Sequence, residues 1–157
     1  MTTIKVSSHF TLYEATRSST ATRRSIRNVP SAAEIKQIEQ VAIHILEPPR
    51  VHYKRSITPS SWFRCLVLNR AVGSEDSSQH PLAQAVDFEI SGIDNLELAH
   101  WMEHNVDFDQ LIMEFYDSND PAGGWIHGSY VSKDSNRHEI ITYSNGVYSH
   151  GLPRLIS

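Results

Sequence analysis

The stretch "SSQHPLAQAVDFEI", Ser77 to Ile90, holds the pattern on which the fold turns. In its second half Val86, Phe88 and Ile90 alternate with Ala85, Asp87 and Glu89, the period-two signature of a strand with an apolar face and a carboxylate face. A mid-strand carboxylate turned toward the interior is costly unless a cation meets it, which marks Asp87 as a candidate ligand. His80 lies in the loop leading into the strand, close enough to curl over its end. Spacing alone carries little weight, because His100 with Asp107 and His127 with Asp134 show the same separation. On that ground alone His80 reads as a surface loop histidine.

Upstream, Ser31 and Glu34 make a capping box, and Ile35, Ile38, Val41, Ala42 and Ile45 follow at helical spacing. Pro48 and Pro49 are expected to stop that helix. Residues 51–58 read as a strand and "WFRCLVLNRAV" as a short helix. The Ser/Thr/Arg-rich residues 1–28 read as an arm packed on the domain. Downstream, Asp94 and Glu97 open a second helix, "QLIMEFY" and "WIHGSY" are strands, and "HEIITYSNGVYSH" places Asn145-Gly146 between two β-prone runs, a strong hairpin signal. The expectation is one α+β domain over residues 1–157, a central mainly antiparallel sheet with helices packed on it.

Composition agrees with a single soluble globular domain: 157 residues, 39% hydrophobic and 20% charged. No run is apolar enough to span a membrane, and the first twenty residues lack the apolar block of a secretory signal, so a cytoplasmic product is expected. A net charge of −4 and a pI near 6.1 argue against a nucleic-acid binder. Arg17, Arg23, Arg24 and Arg27 form a local basic cluster, which reads as solvated surface. Cys65 is the one cysteine, so neither an internal disulfide nor a Cys-rich zinc site can form. Nine histidines in a chain of this size are unusual, and with the carboxylates they are the candidates for metal chemistry.

Catalytic zinc needs three protein ligands and an open position. "HWMEH", His100 to His104, fits the H-x-x-E-H spacing of one class of zinc peptidases. Leu98, Trp101 and Met102 form the apolar stripe of its helix, however, which puts both histidines and Glu103 on the side facing water. A second set lies around "DQLIMEFYDSNDPAGGWIHGSY". A hairpin centred between Asp120 and Pro121 would set Glu114 opposite His127, with Ile112, Trp125 and Ser129 on the same face. Polar groups among large apolar ones suggest a pocket wall, although a structural His–Glu pair would give the same pattern.

Taken together, "FRCLVLNRAVGSEDSSQHPLAQAVDFEI" resembles the zinc D-Ala-D-Ala carboxypeptidase family in its run Y-R-S, L-N, V-G-G-S, S-x-H-x-x-G-x-A-x-D. "FDQLIMEF" with "WIHGSY", and the opening "HFTLYEATRSSTATRR", resemble the phage endolysin-like branch of that family, so the similarity covers roughly residues 8–145. The resemblance implies a hedgehog/DD-peptidase-like α+β fold. It implies one zinc ion held by His80, Asp87 and His127, Glu114 as catalytic base, and Arg64 and Ser78 on the substrate, with Trp125 beside them. The implied activity is hydrolysis of peptidoglycan stem peptides, at D-Ala-D-Ala or L-Ala-D-Glu bonds, by a phage- or prophage-encoded enzyme that acts on the wall after release; a monomer is expected. Four positions depart from the pattern: Ala83 replaces the motif glycine, Phe63 and Cys65 flank Arg64, and Gly124 stands where many members carry the base. A rival reading is a catalytically inactive zinc domain that binds cell wall or serves as a structural module.

Overall fold

The computed structural model of the chain describes residues 3–155. The N-terminal arm contains two short helices, α1 (Leu12–Thr16) and α2 (Ser19–Arg23). Each is started by a side chain that accepts an otherwise unpaired N–H: Thr11 from Glu14 and Ser18 from Ala21. The arm is tied to the body at several points. The Phe63 N–H donates to the Ala15 carbonyl at 2.9 Å, Asn28 Nδ2 donates to the carbonyls of Thr16 and Phe63, and Phe10 packs edge-on against Trp62.

The first long helix begins at its capping box as α3 (Ala32–Val41) but does not stop at the prolines. It passes through a π-helical turn, Ala42–Leu46, and continues as α4 (Glu47–Tyr53), with Pro48 and Pro49 in the first turn. In an unbroken α-helix the nitrogens of both prolines would face the carbonyls of residues 44 and 45 with no proton to give. The wide π turn restarts the ladder, and in a first turn a missing N–H costs nothing. The strand expected over 51–58 is therefore absent: the helix runs to Tyr53 and ends at Lys54 in a left-handed conformation, φ 56°. The short helix α5 (Leu66–Ala71) forms as expected.

Next come β1 (Ala85–Phe88), α6 (Asn95–Asn105), β2 (Gln110–Glu114), β3 (Trp125–Ser129), β4 (Glu139–Ser144) and β5 (Val147–His150). The sheet order is β1-β3-β2-β4-β5, antiparallel throughout except for the parallel pair β2–β4. The α+β reading holds. Val86, Phe88, Leu111, Met113 and Ile126 form the core side of the sheet and are buried with Ile38, Val41, Ile45, Leu46, Leu98 and Met102. The other side of the sheet faces a cleft. At β1 both faces are buried, and residues 60–61 bridge to Asp87 along the open edge of that strand. No described helix is long and apolar enough to cross a membrane.

The β2–β3 register differs from expectation. Glu114 pairs with Trp125, and His127 with Ile112, so the turn centres between Asn119 and Asp120. Phe115 (φ 53°) and Gly124 (φ 73°), both left-handed, stand at the base of the loop. An offset of two residues along one strand keeps every side chain on its face, so Glu114 and His127 remain neighbours, diagonally instead of directly. The Asn145-Gly146 turn forms as read, with both residues at positive φ between Ser144 and Val147.

Candidate metal centre

Asp87 on β1 and His127 on β3 are direct cross-strand partners, so their side chains leave the sheet on the same side. His127 Nδ1 lies 2.9 Å from Asp87 Oδ1, and His80 Nε2 lies 3.3 Å from Asp87 Oδ2. One ligand atom from each of the three residues lies within 4.8 Å of the other two. His80 and Asp87 are 2% and 8% exposed, which excludes a casual surface cluster.

The loop carrying His80 is held on three sides. Its N–H donates to Ser78 Oγ at 3.2 Å, its carbonyl accepts from the Ala83 N–H at 3.1 Å, and its ring Nδ1 donates to the Trp62 carbonyl at 2.6 Å. That last bond places a proton on Nδ1, so that in the neutral ring Nε2, on the Asp87 side, is free to ligate, the arrangement typical of a metal-ligating imidazole. Ala83 itself has φ 60°, a left-handed conformation that glycine adopts freely. Trp62 is positioned by the ladder beside it: the Asp87 N–H donates to Ser61 O at 2.7 Å and the Ser60 N–H to Asp87 O at 2.9 Å.

The electrostatics suit a cation. Burial alone would push the Asp87 carboxyl up, but the adjoining His80 and His127 more than offset this and hold it well below the usual carboxylate range. Burial pushes His80 down, toward the neutral imidazole, and His127 and Arg64 add to that, with Asp87 opposing. An ionised carboxylate and neutral imidazole are the protonation states that bind zinc. The nitrogen and oxygen donors, their mutual distances and the oriented tautomer thus fit a zinc-type ion.

All seven residues singled out in the sequence line one open cleft of about 810 Å³: Arg64, Ser78, His80, Asp87, Glu114, Trp125 and His127. Arg64 donates from Nε to Asn69 Oδ1 at 3.0 Å and from Nη1 to Ser61 Oγ at 2.8 Å, which leaves Nη2 without a described partner. Asn69 is fully buried and donates onward to the Glu75 carbonyl. The Glu114 carboxyl is half-buried, and burial raises it above its ordinary range, with His127 opposing and Asp87 reinforcing. Cys65 does not line this cleft; it is partly buried at the start of α5.

The "HWMEH" histidines lie elsewhere, on α6. His104 is 74% exposed, while His100 is less exposed than expected because its Nε2 donates to the Pro153 carbonyl at 2.6 Å. Among the described residues, His80, Asp87 and His127 are the one group of three able to hold a metal. The sequence reading missed Asn69, the Trp62 carbonyl, Tyr148 and Arg137. The last two reach the cleft only because β4 joins the sheet parallel to β2 and brings β5 with it, a pairing that no local pattern announces. A model described as peptidase M15 matches residues 8–121, a span that includes His80, Asp87 and Glu114 and stops short of Trp125 and His127. No curated protein matches the chain.

Proposed function

Because this chain belongs to the peptidase M15 family, we propose that it is a zinc-dependent peptidase that hydrolyses peptide bonds in peptidoglycan stem peptides. The observation that carries this is the meeting in one cleft of the His80, Asp87 and His127 set with Glu114, a half-buried carboxylate engaged in no structural hydrogen bond among the described residues. His80, Asp87 and His127 would hold the ion. Zinc held there would supply Lewis acidity at a peptide carbonyl and acidify water toward a pKa of about 7.

Glu114 acts as general base. Its carboxyl, raised by burial, is closer to the working pH than a solvated glutamate, which favours both taking a proton from the attacking water and returning it to the leaving amine. Arg64, clamped by Asn69 and Ser61, presents its free Nη2 to a substrate carboxylate or carbonyl without first losing side-chain freedom. Ser78 offers a hydroxyl and Trp125 a flat apolar wall beside the scissile bond. A non-catalytic zinc domain would have no use for an unpaired, half-buried carboxylate at this position.

The test is digestion of purified peptidoglycan by wild type and by Glu114→Gln, with identification of the new termini. Hydrolysis should fall by roughly 10²- to 10⁴-fold at unchanged zinc content. Equal product release by the two proteins would refute the mechanism. The termini distinguish D-Ala-D-Ala from L-Ala-D-Glu cleavage.

A further inference from the structure

We propose that the N-terminal arm builds an anion-binding subsite onto the cleft, which holds a substrate carboxylate remote from the bond that is cut. The inference rests on the peptidase reading and adds a recognition element to it. The cleft does not end at Arg64. Arg64 and Val72 also line a smaller cavity of about 210 Å³, bounded further by Arg17, Ser18, Ser60 and Trp62. Arg17, Ser18, Ser19 and Ser60 in turn line an open groove of about 590 Å³ along α1 and α2. Shared walls thus link the metal centre to the arm.

The lining changes sign along that path. The central cleft carries Asp87, Glu75 and Glu114, whereas neither arm-side cavity is lined by any aspartate or glutamate. Residues 1–28 hold five Lys/Arg and one Glu in a chain of net charge −4, so the arm is a basic element on an acidic body. Arg17 is exposed and anchored by one bond, Nη2 to the Pro59 carbonyl at 3.2 Å, which leaves its remaining N–H groups for a ligand. Ser18 Oγ accepts from the Ala21 N–H, so its own proton is free to be donated outward. Trp62, 2% exposed, lines the smaller cavity with a buried indole N–H that has no acceptor in the protein. The Arg17 guanidinium and the serine hydroxyls make a donor-rich surface that meets Arg64 at the cleft, with the unpaired Trp62 N–H buried just beneath it, and a planar carboxylate is its complement on a peptide.

The probe is the γ-linked tripeptide L-alanyl-D-glutamyl-L-lysine, amidated at its C-terminus so that one carboxylate remains, compared with the same peptide amidated there too. Binding is followed in amide and indole NMR spectra of the full chain carrying Glu114→Gln, which prevents turnover. The acidic peptide should shift the Trp62 indole signal and the Ser18 and Ser19 amides, bind at least about 10-fold tighter than its diamide, and lose that advantage in Arg17→Ala and Arg17→Gln. Equal binding of the two peptides, or an unchanged preference in both Arg17 variants with intact spectra, overturns the subsite. Failure of the wild type to cut peptidoglycan would instead count against the peptidase reading, since the titration does not depend on turnover.

Discussion

Gly124 decides at the residue scale where a base can stand. It lies three positions before His127, and a Cβ built there would clash with the Glu114 carbonyl oxygen. With φ at 73° as well, the position excludes any side chain in this backbone. Of the carboxylates that line the cleft, the one proposed as base stands on the adjacent strand, at Glu114. Gly124→Ala should destabilise the protein by at least ~2 kcal/mol, read as a fall in the urea midpoint, and should depress hydrolysis further by displacing Glu114. A variant with wild-type stability would show that the loop base relaxes freely and that glycine is not required there.

At the scale of elements, Asp109 fastens three of them. It lies 2% exposed just before β2, accepts from Arg137 Nε and Nη2 ahead of β4, and accepts from Gln79 Nε2 in the His80 loop. The Arg137 hydrogen bonds, partly opposed by burial, hold its carboxyl below the ordinary range. A depressed carboxyl contributes stability that is complete above the unfolded value of about 4 and is lost as pH falls through the lower folded value. Asp109→Asn should cost about 2 kcal/mol at pH 7, and the gap in melting temperature between the two proteins should narrow below pH 4. A gap that stays constant down to pH 2 would remove the charge from the account. The α6 histidines give the complementary case. Replacing His100 and His104 together by alanine should cost about 1 kcal/mol, through the lost bond to Pro153, at unchanged zinc content and activity. Loss of metal would move the centre back to "HWMEH".

The whole molecule is organised so that the sheet separates a core from a cleft, with the proposed ligand set spanning β1, β3 and the loop before β1. A metal bound by groups so far apart in sequence stabilises the native state alone. At a thousandfold excess over its dissociation constant that linkage amounts to about 4 kcal/mol. Chelation should thus lower the melting temperature of the wild type by roughly 10 °C and leave His80→Ala unmoved. An unchanged wild-type melting curve after verified zinc removal would show that the three residues hold no resident ion.

Local chemistry determined much of this protein in advance. The Ser31 and Glu34 capping box, the Asn145-Gly146 turn and the alternation around Asp87 are short-range signals, and each appears in the fold where it was read, whereas His80, a surface loop histidine by spacing alone, is buried. The same local rules misplace the end of the first helix, because a π turn that keeps Ile45 and Leu46 in the core outweighs the two prolines. Only the tertiary structure decided the β2–β3 register, the parallel β2–β4 pair, the Trp62 carbonyl that orients His80 and the Asn69 clamp on Arg64. Apart from that clamp, whose buried partner gives no signal in sequence, these join segments whose separation hides them from any local window. Their physical cause is shared burial against one core, which exists only once the chain has folded.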